Sequence, residues 1–165
     1  MDSNYFKAPW SPLLLLITAS MTFLLVGISA VGYLTSGPLN PFLVYIPLAI
    51  LIGAIFFTIR GYRITPQFLY ISRFLWQTRI ALHTLKSVEL NPQATKRSIR
   101  LFGNGGLYSI SGLFRNKTLG KYRAFITDPK KSVVLRFPTR NIVISPDNPE
   151  LFCQQIETLI ANRSQ

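Results

Sequence analysis

The residues in this chain whose types and spacing could do chemistry are cations. Arg60, Arg63, Arg73 and Arg79 form one group, Lys96, Arg97 and Arg100 a second, and Arg115, Lys117, Lys121 and Arg123 a third. Guanidinium and ammonium groups gathered this densely bind anions, whether phosphate oxygens of lipid headgroups, a nucleic-acid backbone or carboxylates of a protein. Of the 18 Lys and Arg, only Lys7 precedes Arg60, and with six Asp and Glu in the whole chain the net charge is +12.

Catalytic chemistry has little to draw on. The chain holds 1 His and 1 Cys, with no His, Cys and carboxylate set at metal-ligand spacing, so neither metal nor other cofactor is expected. His83 has no second acid–base group nearby and reads as a structural or solvated residue. Cys153 reads as an unpaired thiol that a cytoplasmic location keeps reduced. Asp128, Asp147, Glu150 and Glu157 fall where capping or solvation accounts for them. The glycines fail as a phosphate cradle. Gly103, Gly105 and Gly106 do not complete G-x-G-x-x-G, because position 108 is Tyr, and they open a strand instead of a helix. Gly120-Lys121 misses the P-loop at both ends, with Arg115 at the first glycine position and Tyr122 in place of Ser or Thr. A non-enzymatic protein is expected.

The elements that position these cations begin with a stretch that has none. From Ala8 to Ile59 no charged residue and no His occurs, and two apolar runs, 13–34 and 42–59, flank the loop Thr35–Pro41. Spanning a bilayer core takes about 20 apolar helical residues, so residues 1–60 are expected to form a short N-terminal segment and a two-helix transmembrane hairpin. Arg60, Arg63 and Arg73 lie close behind the second span, which puts residues 60–165 and both termini in the cytoplasm. A cleaved signal peptide is the rival, with Lys7 before the run and Gly27-Ile28-Ser29 as a cleavage site; the single basic residue and a run continuing to Leu34 favour a retained anchor. Ala19, Ser20, Gly27 and Ala30 allow close helix approach, Trp10, Tyr33 and Tyr45 suit interface belts, and no ionisable group at membrane depth supports a pore despite Pro47.

Residues 61–165 suffice for one compact domain. Their apolar pattern has period two, with runs at 62–65, 68–72, 76–82, 85–90, 99–102, 107–114, 122–127, 133–137 and 141–144. In Lys121–Ile126 the cations alternate with Tyr122 and Ala124, as a half-buried strand requires. Pro66-Gln67, Gly103–Gly106 and Asp128–Lys131 supply turns, so short antiparallel strands are expected. A helix over 147–162 should follow, capped by Asp147 with Glu150 closing the box, its stripe being Leu151, Phe152, Ile156, Leu159 and Ile160.

The segments Tyr62–Ile71, Ile80–Leu90, Gly103–Gly112 and Ile144–Phe152, in this order, resemble the bacterial pleckstrin-homology (PH)-like domains, many of which sit behind one or two membrane spans. The resemblance covers roughly residues 62–160. It implies a mainly-β split barrel closed by a C-terminal helix, behind the α-helical hairpin, and a bacterial inner-membrane location. It also implies a core of seven strands, so two of the nine runs are expected to be extensions or loop.

The function this supports is a membrane-anchored adaptor: the cations named above dock on anionic lipid headgroups, each contributing about 1 kcal/mol, and another surface binds a protein partner. An accessory subunit of a larger membrane complex is the alternative. A nucleic-acid module would use Tyr62, Tyr70, Trp76, Tyr108 and Tyr122 among the cations, but such aromatics more often build a barrel core, and nucleic acid is the least favoured partner. The sequons at Asn116 and Asn162 should stay unmodified in the cytoplasm.

Overall fold

The computed structural model describes residues 4–36 and 41–162. It begins with a strand. β1 (Tyr5–Lys7) pairs antiparallel with β2 (Ile59–Ile64), setting Tyr5 opposite Arg63 and Lys7 opposite Gly61. Between these neighbouring strands the chain makes α1 (Pro12–Ser36) and α2 (Pro41–Phe56). The helical pair is therefore an insertion between two paired strands, and β1, from the segment ahead of the helices, joins the sheet that follows the boundary expected at residues 60 and 61. A cut near Gly27-Ile28-Ser29 would strip β1 from its sheet. Most of the loop expected over Thr35–Pro41, and the end of the sequon at Asn162, lie outside the described residues.

Ser11 starts α1: its Oγ accepts from Leu14 N at 3.1 Å, with Pro12 in the first turn. α1 is long and apolar enough to cross a membrane by length and composition, whereas α2 has 16 residues. The second apolar run does not stay helical to Ile59. It tightens through Phe57 N to Ala54 O and Thr58 N to Ile55 O, and Ile59 enters β2 with its side chain fully buried. The helices approach closely at Gly32, where an added Cβ would lie 2.7 Å from Leu43 Cβ.

After β2 come β3 (Phe68–Arg73), β4 (Gln77–Ala81), β5 (Ser87–Leu90), β6 (Ile99–Gly105), β7 (Ile110–Asn116), β8 (Gly120–Ile126), β9 (Val133–Arg136) and β10 (Asn141–Ile144). They form a four-stranded sheet, β1-β2-β3-β4, and a six-stranded sheet, β5-β9-β10-β8-β7-β6. Each of the nine apolar runs contains a strand, so the two expected to be extensions or loop are not wholly loop, and β1 adds to them. One pair departs from the antiparallel expectation. The chain passes from β8 to β9, leaving a gap that β10 fills on its return, so β10 runs parallel to β8.

The sheets face each other across a core of Phe6, Tyr62, Leu69, Ile71, Phe125, Leu135, Ile142 and Phe152. The other face of the six-stranded sheet is also covered, by Ala94, Phe114, Leu119 and Tyr122 around Val134 and Val143, which is why Val134 is as buried as its neighbours. β6 and β7 meet at Gly103 and Gly112, where an added Cβ at either would come within 2.4 Å of a carbonyl oxygen across the pair.

The C-terminal helix, α3 (Pro149–Ala161), is capped by Asn148 and not by Asp147: Asn148 Oδ1 accepts from Leu151 N at 3.1 Å, with Pro149 in the first turn. Phe152 and Ile156 are fully buried, and Phe6 meets Phe152 edge to face at 5.1 Å. Leu151, expected in the stripe, is exposed.

Candidate binding site at the base of the helical pair

The cations divide into three places. Arg60, Arg63 and Arg79 point outward from the four-stranded sheet, where strand register makes a row of Tyr5, Arg63, Tyr70 and Arg79. Arg63 lies 5.9 Å from the Tyr5 ring centre and Arg79 4.8 Å from that of Phe68. Lys96, Arg97, Arg100, Arg115, Lys117 and Lys121 are exposed at the far end of β6, β7 and β8. Asn116 fastens the β5–β6 connection to that end, donating to Ala94 O at 2.7 Å and Ser98 Oγ at 3.0 Å. At about 3.4 Å per residue, the length of β7 puts Arg115, Lys117 and Lys121 some 20 Å from the turn that touches α1, whereas the Arg100 guanidinium folds back along β6 to lie beside Gly105.

Arg73 is not on the outer surface. It follows Leu69 and Ile71 on the inward side of β3 and is only 9% exposed. Its Nη1 donates to Phe57 O at 2.8 Å, just past α2, where a cation suits the negative end of the helix dipole. Ser109 Oγ donates to the same carbonyl at 3.2 Å. Arg73 Nε is buried with no partner. Burial, and then the neighbouring charge of Arg123, pull the Arg73 pKa below its ordinary value, against a smaller opposing effect of Tyr62.

Arg123 projects from β8 toward the same place. Its guanidinium carbon lies 5.1 Å from the centre of the Phe125 ring, and that of Arg73 lies 5.5 Å from the same centre. Both arginines line a cleft of about 660 Å³ between the two sheets and the last turns of α2. The other walls are mostly apolar: Gly53, Ala54, Phe57, Phe102, Leu107 and Leu113. Among the described residues the one salt bridge joins Arg136 to Glu89, and no carboxylate lines the cleft.

The base of the helical pair is gripped from both sheets. Thr18 Oγ1 accepts from Tyr108 N at 3.1 Å and donates to Gly106 O at 3.3 Å, and Trp10 packs edge to face on Tyr108. Phe57 packs on Trp76 at 5.2 Å. Around this base, large apolar side chains stay exposed: Phe74, Leu75 and Trp76 at the β3–β4 turn, and Leu101 and Phe102 on β6.

The remaining reactive candidates sit apart. Tyr62 is fully buried, and burial lifts its pKa to about 12. Tyr122 is buried and donates to Ser98 Oγ at 2.8 Å, so neither ring offers a face for base stacking. Cys153 is pushed up to about 11, mainly by burial and then by Glu157 and Glu150. Among the described residues no three His, Cys, Asp or Glu come together as metal ligands would. Parity along β3 was the available signal for Arg73. Nothing in the sequence joins Phe57, Phe102 and Leu113, which come from separate segments.

Two packed sheets closed by a C-terminal helix, with a helical pair inserted between the first two strands, define a mainly-β domain of PH-like architecture. The sequence matches the bacterial PH domain family over residues 60–160, and the chain belongs to that family. PH domains are generally non-catalytic binding modules. No curated protein matches the chain. No solved structure matches it either.

Proposed function

We propose that the chain is a membrane-anchored adaptor. α1 and α2 form a transmembrane hairpin in the bacterial inner membrane, the PH domain lies against the cytoplasmic leaflet with cations toward anionic headgroups, and a protein partner binds elsewhere on the domain. The observation that carries this reading is the exposed apolar rim of Phe74, Leu75, Trp76, Leu101 and Phe102 around the base of the helices. At 1.5 Å per residue, α2 covers about 24 Å, short of the roughly 30 Å core of a bilayer. A rim seated in the interface extends the apolar band beyond the end of α2, and a rim in water would be an unexplained hydrophobic patch. Arg60, Arg63 and Arg79 flank the rim on the outer sheet face, each contributing about 1 kcal/mol against anionic lipid. For the partner, the free edge of β6, exposed along nearly its whole length, suits strand addition by an extended peptide.

The test reconstitutes the full chain in vesicles of phosphatidylcholine with or without phosphatidylglycerol, then footprints arginines with phenylglyoxal. Resistance to carbonate extraction, with Arg60, Arg63 and Arg79 protected only in anionic vesicles, is the expected result. Carbonate release removes the anchor reading, and equal labelling in both vesicles removes the docking.

A further inference from the structure

The cleft at the base of α2 combines two features that seldom occur without a ligand. Its walls are largely apolar, yet two guanidinium groups enter it beside one aromatic ring. A buried cation is costly unless an anion compensates it, and Arg73 is buried with its Nε unpartnered, while Arg123 beside it is exposed and free to turn to a ligand. Here no carboxylate does so. Arg73 spends one donor on Phe57 O, and the Arg123 guanidinium has no hydrogen bond or ion pair among the described residues.

We infer that this cleft holds one anionic phospholipid, its phosphate against Arg73 and Arg123 and its glycerol and first acyl carbons along Gly53, Ala54, Phe57, Phe102 and Leu113. Three observations select this occupant. Planar guanidinium groups match phosphate oxygens. A volume of about 660 Å³ lies in the range of pockets that enclose a whole organic ligand and exceeds what a bare anion needs. The apolar wall is supplied partly by α2 itself, so a lipid lying beside that helix enters without leaving the interface. This last argument rests on the proposed anchoring of α2. The bound lipid differs from the headgroups under Arg63 and Arg79: it is a single molecule that stays with the protein when the bilayer is removed.

Native mass spectrometry of the full chain, released into mild detergent with phosphatidylglycerol, tests this. An added Cβ at Gly53 meets nothing within 4 Å, so Gly53→Leu fills the cleft while leaving both arginines in place. Arg123→Gln removes one charge, and Arg115→Gln removes a charge at the far end of β7 as the control. The expected result is one retained phosphatidylglycerol on the wild type and on Arg115→Gln, reduced at least tenfold in Gly53→Leu and in Arg123→Gln. Retention by Gly53→Leu at the wild-type level overturns the inference, because the lipid then sits elsewhere. Equal retention of phosphatidylcholine overturns it as well, since charge would play no part. Displacement by millimolar inorganic phosphate would show a site for the free anion and not for a lipid. Carbonate extraction of the same variants separates this inference from the anchor reading: loss of the lipid with anchoring intact, or the reverse, assigns each failure to one of them.

Discussion

Tyr62 donates its phenolic hydrogen to the main-chain carbonyl of Phe125 across 2.7 Å, joining the four-stranded sheet to the six-stranded one at a point closed to water. The same oxygen accepts from Ser145 N at 3.2 Å. One side chain thus completes backbone hydrogen bonding on two strands of the opposite sheet, which a phenyl ring of the same size could not do.

The burial of that hydroxyl makes stability fall at alkaline pH. Burial raises the Tyr62 pKa to about 12, whereas in the unfolded chain it is about 10. Between those values the unfolded chain has lost the proton and the native chain keeps it, so the native state binds more protons and rising pH destabilises it. The group should remove about 2 kcal/mol by pH 12, measured by denaturant titration of the full chain in detergent from pH 9 to 12. Tyr62→Phe should cost about 1–3 kcal/mol at neutral pH and make the alkaline slope shallower, leaving the part that Cys153, raised by burial to about 11, contributes with the same sign. Tyr122, also raised by burial, leaves a smaller slope of the same sign. An unchanged slope in Tyr62→Phe would rule this account out.

Phe6 tests whether β1 belongs to the domain. It is 3% exposed and packs on Phe152, so Phe6→Ala should destabilise the sheets by about 3–5 kcal/mol, the usual cost of truncating a buried Phe. Lys7→Ala, an outward change on the same strand, should stay within about 0.5 kcal/mol. Equal and small effects would mean that the strand is only loosely attached.

The cap of α3 distinguishes neighbouring residues. Asn148→Ala should lose about 1 kcal/mol, while Asp147→Ala leaves the cap in place and loses only its bond from Asn148 N. Thermal unfolding of the two variants side by side decides the matter, and a larger loss at Asp147 would favour the capping box read from the sequence.

Cys153 should be slow to alkylate. With its pKa near 11, roughly one thiol in a thousand is ionised at pH 8, and only the thiolate reacts. Iodoacetamide labelling of the native chain should climb with pH toward 11. A rate at pH 8 equal to that of free cysteine would contradict the buried environment.

The strands were legible because period two and turn residues act locally: Pro66-Gln67 turns β2 into β3 through Thr65 N and Phe68 O, as its composition indicates. Charge alone does not show that Arg73 turns inward, but it continues the parity of Leu69 and Ile71. β1 has three residues, too few to show any period, and its partner lies beyond two helices. Cap placement slipped by one residue because Asp147 and Asn148 are both good capping types and Pro149 suits either choice. The cleft could not be read at all, since its walls come from α2, β3 and the β6–β8 strands and meet only after the sheets have packed.

The pairing of β1 with β2 also sets an order of assembly. The ribosome makes Tyr5–Lys7 first, then the whole helical pair, and only afterwards the strand that receives them. Until then β1 has no edge to join, and the sheet waits for a strand made before the helices. Once closed, it fixes both feet of the helical pair at adjacent positions on one side of the domain, so the two helices cannot be threaded in opposite senses without opening a strand. The sheet is therefore completed only when the helical pair has returned the chain to the side where β1 waits.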